Sequence, residues 1–406
     1  MNCFYIAVLY FSFLFSMIAQ STSTTMYERA KSNYAAILAY YDAYLNNTEK
    51  YSTTIIPKLD QTQAIEVTMG MNMYALSGFD AVSGQIEIVG SLQMSWVTEL
   101  IPGVDTLGLT TYVMPADGIW TPSIVLVNAI DTVEKVGSST YRPRYNVSDG
   151  SVEWNPRVIL KAACDPDVTY YPFDRQTCSF LFTPWNYNYK QVILALSSST
   201  IDTSHYDLNS AWSLVETKAE THISGDNYYA NFTITIQRQY MYFTINLVMP
   251  ILLLSAVTGF AFLLPAASNE RIGFSITCFL AFVVLLQTVM QFLPESSSPM
   301  SLLCYYIVVM MMFSSAVCII NIMILRLYKS AERGDDVPKS LKTFVQIIQC
   351  TICRRWKELL STEDKTELNV DWETVGRLLD IFFFIAFLGA QGGFTILFLL
   401  PLGLRS

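Results

Sequence analysis

Seven residues of one apolar segment are spaced so that they share one face of a helix. At 3.6 residues per turn, the stripe has an acid at its start, then small or hydroxyl side chains, an apolar middle and a polar end. These residues are Glu270, Gly273, Thr277, Leu280, Val284, Thr288 and Gln291. Such a face suits a helix that lines a water-filled pore. A ring of acids from several copies would then attract cations, and an apolar girdle could close the pore by dewetting. Packing of the stripe against neighbouring helices, or pairing of Glu270 with a neighbour's Arg271, is the alternative interpretation.

The chain offers little for enzymatic catalysis. His205 and His222 are its only histidines, and neither has a carboxylate, cysteine or serine at a recognisable spacing. We therefore expect no enzyme, no cofactor and no metal site. The net charge of −9 also excludes nucleic acid as an expected partner, because phosphate binding needs a basic surface.

The first half of the chain carries signs of export. Residues 1–21 contain a short apolar run followed by small residues, which is typical of a signal peptide; an extra membrane span is the alternative. Three N-x-S/T sequons, at Asn46, Asn146 and Asn231, all precede residue 240 and predict glycosylation. In the exported half that remains, Cys164 and Cys178 form an isolated pair, and an oxidising compartment favours a disulfide between them.

The elements that must position these residues change in kind at about residue 240. Residues 26–45 have helical spacing, whereas 64–239 consist of short alternating or β-branched runs between turn residues. The sequence predicts an extracellular, immunoglobulin-like β-sandwich with a short N-terminal helix, followed by a four-helix transmembrane bundle. The expected domains are 1–21 (signal peptide), 22–240 (β-sandwich), 241–327 (first three spans), 328–372 (cytoplasmic loop) and 373–406 (fourth span and tail).

Four uncharged apolar runs are long enough to cross a hydrocarbon core of about 30 Å. They cover residues 242–264, 272–293, 300–325 and 381–402. The loop 328–372 is rich in Lys and Arg, which places it in the cytoplasm by the positive-inside rule and leaves both termini outside. An amphipathic pattern in this loop predicts a helix that lies either on the inner membrane surface or against protein.

The segment between Cys164 and Cys178 carries a distinctive motif. Thirteen residues separate the cysteines, and they include Tyr171-Pro172-Phe173-Asp174. This segment resembles the signature loop of the Cys-loop receptors, the pentameric ligand-gated ion channels. Other motifs follow in the family's order, and the chain is most similar to the nicotinic acetylcholine branch. The supporting motifs are Leu92-Gln-Met-Ser-Trp96, Trp120-Thr-Pro122, Pro184-Trp-Asn-Tyr187, Asn246-Leu-Val-Met-Pro250 and Glu270-Arg271.

The resemblance implies an agonist site between neighbouring extracellular domains, where aromatic faces attract a cation. The matching positions are Trp185, Tyr187, Tyr228, Tyr229, Val127 and Ser91. Val127 and Ser91 stand where the family has a tyrosine and a tryptophan, so we expect acetylcholine to bind weakly. We expect instead a wider pocket for a bulkier, amphipathic ligand, with a glycan on Asn231 beside residues 217–230, the hairpin that caps the agonist site in the family.

The resemblance also makes the second span the pore lining and implies a coupling route. Asp174 would approach Arg238, while Phe173 and Pro172 would press on the linker 294–299; an ordinary stabilising ion pair is the alternative. We therefore expect a subunit of a homo- or heteropentameric channel in the plasma membrane, surrounded by lipid, that passes monovalent cations when a small-molecule agonist binds. The alternative is an accessory or ligand-binding subunit that assembles but does not form a channel alone.

Overall fold

The computed structural model describes residues 35, 38–39, 51–101, 110–265, 270–295, 300–332 and 372–403. Within these ranges, the first half of the chain forms eleven strands. They are β1 (Ile65–Asp80), β2 (Gln85–Val97), β3 (Thr111–Val113), β4 (Ile124–Leu126), β5 (Arg144–Asn146), β6 (Ser151–Trp154), β7 (Arg157–Ala163), β8 (Arg175–Pro184), β9 (Val192–Leu196), β10 (Trp212–Ser224) and β11 (Asn227–Arg238). In most of them buried and exposed residues alternate, as expected when one side of a strand faces a core.

The strands form two sheets that pack against each other. The larger sheet has the order β3-β5-β6-β2-β1-β9, and β7 also pairs with β2. The smaller sheet has the order β10-β11-β8-β4. Neighbouring strands are antiparallel except β1 and β9, which run parallel. Residues 164–178, the Cys loop, connect the two sheets between β7 and β8 and are closed by the Cys164–Cys178 disulfide.

Aromatic side chains fill the space between the sheets. Trp120, Trp154, Phe180, Phe182 and Phe232 are fully buried in one apolar cluster. Phe182 and Phe232 come from the neighbouring strands β8 and β11 and meet edge to face, with ring centroids 5.8 Å apart. Because each such ring buries about 150–250 Å², these side chains supply a large share of the apolar area that holds the sandwich together.

The described part of the chain also contains four helices that are long and apolar enough to cross a membrane. They are α1 (Met241–Leu263), α2 (Glu270–Met290), α3 (Leu302–Glu332) and α4 (Trp372–Gly403). Helix α2 packs on α1 and α3, and α4 packs on the same two helices. Residues Thr244–Val248 of α1 form a π-helical turn shortly before Pro250.

A second apolar cluster joins the sandwich to the helices. Tyr171 and Val168 of the Cys loop pack there with Leu247 and Ile251 of α1 and Leu303 of α3. The predicted β-sandwich followed by a four-helix bundle is therefore confirmed. Residues 35, 38 and 39 of the expected N-terminal helix are helical. The rest of that helix, the signal peptide, Asn46 and nearly all of the expected cytoplasmic loop lie outside the described residues.

Candidate functional site

Helix α2 has one face packed against its neighbours and one face that nothing in the described chain covers. The packed face contains Arg271, Ser275, Cys278, Phe282 and Val289, all of which are buried. The uncovered face is the stripe expected from the sequence. Leu280 is 53% exposed and Val284 63% exposed. Four further residues of the stripe are also exposed: Glu270, Gly273, Thr277 and Gln291. Thr288 is half-buried.

The hydroxyl groups on the uncovered face bond to their own helix. Thr277 Oγ1 donates to the carbonyl of Gly273 at 2.7 Å, and Thr288 Oγ1 donates to that of Val284 at 2.9 Å. Because each hydroxyl donates its proton to a carbonyl of its own helix, its oxygen lone pairs remain available on the outer face. Such oxygens suit a face that meets water or passing cations.

A buried ion pair lies at the junction of sandwich and helices. Arg238 Nε and Nη2 donate to Asp174 Oδ1 and Oδ2 at 2.7 and 3.0 Å, a bidentate arrangement. The side chain of Asp174 is 1% exposed and that of Arg238 10% exposed. Gln176 Nε2 adds a third hydrogen bond to Asp174 Oδ2 at 2.7 Å. The structure therefore brings together the two charged residues that the family resemblance had paired.

Three aromatic rings surround the guanidinium of Arg238. Its central carbon lies 4.3 Å from the ring of Trp212, 5.0 Å from Tyr171 and 5.3 Å from Phe243. Burial raises the pKa of the Tyr171 hydroxyl well above its ordinary range, while nearby Arg238 opposes that shift. Because Phe243 belongs to α1, the arginine contacts both the sandwich and the first membrane helix.

The Cys loop also contacts the helices directly. The ring of Phe173 lies 4.9 Å from that of Tyr240, the residue just before α1, at a tilt of 37°, and Tyr171 meets Phe243 at 5.7 Å. The backbone N–H of Leu302, at the start of α3, donates to the carbonyl of Thr169 at 3.0 Å. The expected contact of Phe173 was with 294–299; of that linker, residues 296–299 lie outside the described chain, and the described partner is Tyr240.

The aromatic residues expected at the agonist site do not share one surface. Trp185 is 53% exposed, and no ring among the described residues stacks on it. Tyr187, two residues later, packs against the core of the sandwich, where its hydroxyl accepts a hydrogen bond from Trp120 Nε1 at 3.4 Å. The change of direction occurs at Asn186, which has a positive φ of 67°.

Tyr228 and Tyr229 occupy opposite faces of β11. Tyr228 has the parity of the buried Ala230 and packs against the sandwich core. Tyr229 faces outward and stacks on His222 of the paired strand, with centroids 5.3 Å apart. Since successive residues of a strand point to opposite sides, only Tyr229 can present its ring on the outer face. Val127, just after β4, is also partly exposed.

The space in front of Ser91 is filled rather than widened. Ser91 is 3% exposed, because the Tyr74 hydroxyl lies 3.0 Å from its Oγ and Asn72 Nδ2 donates to it at 3.3 Å. Tyr74 sits at a β-bulge, where the β1–β2 register shifts between Met73 and Ala75. Bulges redirect side chains in this way. A Cβ on Gly90, opposite the bulge, would lie 2.3 Å from the Asn72 carbonyl oxygen, so this close approach requires glycine.

The two described sequon asparagines have different surroundings. Asn146 Oδ1 accepts hydrogen bonds from the N–H and hydroxyl of Ser148 at 3.2 and 2.8 Å. Asn231 is half-buried in β11, and its Nδ2 donates to Glu220 Oε1 at 3.3 Å. Glycosylation of Asn231 uses this same nitrogen, so a glycan there would lie beside the cross-strand contact with Glu220.

Comparison with known families agrees with both halves of this architecture. The neurotransmitter-gated ion-channel ligand binding domain matches residues 41–240. The neurotransmitter-gated ion-channel transmembrane region matches residues 247–358. The chain belongs to the neurotransmitter-gated ion channels, the Cys-loop receptors. Like other members, it is a multi-pass plasma-membrane subunit with an extracellular ligand-binding domain, and the family is one of ion channels and not of enzymes.

Individual relatives of this channel subunit are acetylcholine receptor subunits. It is 26% identical over 321 residues to the human neuronal acetylcholine receptor subunit alpha-6, covering 75% of this chain and 63% of that protein. The rat subunit of the same name is 30% identical over 256 residues, or 61% of this chain and 51% of that one. The Drosophila melanogaster acetylcholine receptor subunit beta-like 1 is 28% identical over 306 residues, or 72% and 58%. The chain thus spans between about half and two thirds of these relatives' length.

The sequence did not predict a role for two polar residues of the channel domain, Asn321 and Asp380. Arg271 donates to both carboxylate oxygens of Asp380 on α4, and its Nε donates to Asn321 Oδ1 on α3 at 2.9 Å. Asp380 lies just before the predicted start of the fourth span, and Asn321 lies within the third. A signal was present, because Arg271, Asn321 and Asp380 each stand near the cytoplasmic end of a span, where polar groups need partners.

Proposed function

We propose that this chain is one subunit of a pentameric, cation-selective channel, opened by a small molecule that binds between neighbouring extracellular domains. The observation that carries the proposal is the uncovered face of α2. Polar groups facing lipid would be costly, so a helix with this face needs either water or protein beside it. If five such helices surround an axis, each of these faces lines a central water-filled pore, and Leu280 and Val284 form its narrow apolar part.

Cation preference comes from Glu270. Its side chain is exposed at the cytoplasmic end of α2, while the adjacent Arg271 is buried on the packed face of the helix. A ring of five carboxylates would raise the local concentration of monovalent cations and lower that of anions. The positive charge next in sequence does not reach this ring.

Gating requires that motion at the junction between the sandwich and the helices opens the apolar part of the pore. In the closed state, Leu280 and Val284 would exclude water from the middle of the pore. Movement of the Cys loop would reach α1 through Arg238 and the ring contacts of Tyr171 and Phe173. The same contacts also stabilise the subunit, so the coupling role has to be measured separately from stability.

The ligand chemistry follows from what the chain presents at its surface. Trp185 and Tyr229 offer exposed or half-exposed rings, to which a cationic or amphipathic ligand can bind through cation–π and apolar contacts. Acetylcholine is a weak candidate, because Val127 and the covered Ser91 supply no ring. An amphipathic amine that covers Trp185 with an apolar part suits this surface better.

A second candidate is an accessory subunit that conducts only together with a related chain. The specific observation in its favour is the inward direction of Tyr187 and Tyr228, which leaves the family's aromatic cage incomplete on this subunit. A partner subunit would then supply the better agonist site, and this chain would supply pore lining.

The test is voltage-clamp recording from cells that express this chain alone, with amines, amino acids and amphiphiles applied outside. We expect an evoked current that reverses near the cation equilibrium potential. Glu270→Gln should lower the cation-to-anion permeability ratio about tenfold, whereas Glu270→Asp, which keeps the charge, should retain it. An unchanged ratio in Glu270→Gln would refute the assigned role. Surface expression without current would favour the accessory subunit and lead to co-expression with a related chain.

A further inference from the structure

A buried polar network ties the cytoplasmic end of α2 to the two helices behind it. The guanidinium of Arg271, 2% exposed, bonds to Asp380 on α4 through Nη1 at 3.1 Å and through Nη2. Its Nε donates to Asn321 Oδ1 on α3, and Nη1 also faces the Leu264 carbonyl at 3.5 Å. Asn321 Nδ2 donates to Ser275 Oγ at 2.7 Å, and Ser275 Oγ donates to the Arg271 carbonyl at 3.0 Å.

Within this network the charges are matched one to one. Leu264 and Asn321 approach the guanidinium with neutral oxygens, and the ring of Phe262 lies 5.9 Å away. Asp380 is the acid that Arg271 contacts in the described chain. A guanidinium in a low-dielectric site is held there by its carboxylate, and without that partner it moves toward water or a new anion.

Glu270, whose side chain is exposed, lies beside Arg271 at the cytoplasmic mouth of the proposed pore. Glu270 and Arg271 are consecutive residues, so they point about 100° apart around the helix. The long, flexible arginine side chain can cover that angle, because such side chains extend to keep their charged end in water. If Arg271 turned in this way, five guanidinium groups would stand beside five carboxylates, and the ring would lose its net negative charge.

We propose that Asp380 is a positioning residue for ion selectivity: by holding Arg271 between α2, α3 and α4, it keeps that positive charge out of the pore mouth. The inference rests on the proposed cation channel and on the role of Glu270 in it. It assigns to the outermost helix α4 an electrostatic role in selecting ions, although Asp380 itself does not line the pore.

The first experiment measures reversal potentials in salt gradients for four variants, using the parent chain under whichever expression condition gives current. Asp380→Asn should lower the cation-to-anion permeability ratio nearly as far as Glu270→Gln does. Arg271→Gln/Asp380→Asn, which removes both charges of the pair, should recover the parent ratio. Gln391→Leu replaces another buried polar side chain of α4 and should leave the ratio unchanged.

The outcomes separate the inference from the proposed function. If Glu270→Gln leaves the ratio unchanged, the selectivity role of Glu270 is refuted whatever Asp380→Asn does. If Glu270→Gln lowers the ratio and Asp380→Asn does not, Asp380 has no positioning role. Loss of selectivity in the Arg271→Gln/Asp380→Asn double variant would also overturn the inference, because no positive charge then remains to be positioned. The double variant tests the inference even if Asp380→Asn alone does not reach the cell surface.

A second measurement needs no current. The arginine-directed reagent phenylglyoxal, applied to membranes, should modify Arg271 several-fold more in Asp380→Asn than in the parent chain, as read by mass spectrometry of the labelled peptide. Arg157, exposed on the sandwich, should be labelled equally in both and serves as the internal control. Equal labelling of Arg271 in the two proteins would overturn the inference.

Discussion

Replacing Asp174 by asparagine should destabilise the subunit by about 3 kcal/mol, because the change leaves the guanidinium of Arg238 buried without an anion. Breaking a buried ion pair from one side costs about 3–5 kcal/mol. We expect the lower end, since an asparagine can keep the hydrogen bond to Gln176 and one of the two to Arg238. The three rings around Arg238 do not offset the loss, because their cation–π contacts are the same in the parent protein.

A double-mutant cycle gives the magnitude of the coupling. The variants are Asp174→Asn, Arg238→Gln and the pair together, and the readouts are thermal unfolding of the purified assembly and the half-maximal agonist concentration. The double variant should be much less destabilised than the sum of the singles, with a coupling energy of about 2 kcal/mol. Lys58–Glu99, a more exposed pair on the same domain at 2.7 Å, is the matched control and should show far weaker coupling.

The two readouts distinguish a stabilising pair from a coupling pair. If Arg238 transmits motion from the Cys loop to α1, Asp174→Asn should raise the half-maximal agonist concentration in assemblies that still reach the surface. A loss of thermal stability with unchanged agonist response would leave only the structural role. A coupling energy below about 1 kcal/mol would refute the reasoning altogether, since that is the range of exposed ion pairs.

The remaining predictions concern the pore and the core. Leu280→Thr should wet the apolar girdle, giving current without agonist and a lower half-maximal agonist concentration, whereas Met312→Thr on an exposed part of α3 should change neither in the same recordings. Burial raises the pKa of the Tyr51 hydroxyl from 10.0 to about 12, so its neutral form contributes about 3 kcal/mol below pH 10 that is lost as pH rises through 12. The unfolding temperature should therefore fall less steeply between pH 9 and 12 in Tyr51→Phe, which loses the hydrogen bond from Trp120 N–H, than in the parent chain. An equal slope in the two proteins would contradict this.

The sequence predicted the elements well because their signals are local. A period of 3.6 residues and an uncharged run of about twenty residues are sufficient to find α2 and to say which residues share its outer face. Short alternating runs likewise predict a sandwich. The structure keeps the stripe from Glu270 to Thr288 on one side of α2, with Gln291 exposed just after the helix ends, and the packed side is occupied by residues that the stripe had left out, such as Cys278 and Phe282.

The surroundings of the residues expected at the agonist site could not be predicted from the sequence, because they depend on single-residue shifts. One bulge in β1 decides that Tyr74 covers Ser91, and neither the substitution nor the spacing reveals it. The positive φ of Asn186 turns Tyr187 inward while Trp185 stays exposed. Tyr228 and Tyr229 are adjacent, so a shift of one residue exchanges their faces. Family resemblance gives the positions at such a site, but local backbone geometry decides which side chains reach it.

Glu270 and Arg271 show why a long-range contact can decide what adjacent residues do. Glu270 and Arg271 are neighbours with opposite charges, and from the sequence their effects could cancel at the entrance. In the structure, α2 places them on different faces, and Asp380, more than a hundred residues later, pairs with the arginine on the packed side of the helix. No local pattern connects Arg271 with Asp380, since their contact exists only once α4 packs behind α3 and α1. In the proposed channel, the charge that a passing ion meets would therefore depend on the helix bundle as a whole, and a change in the outermost helix would alter it.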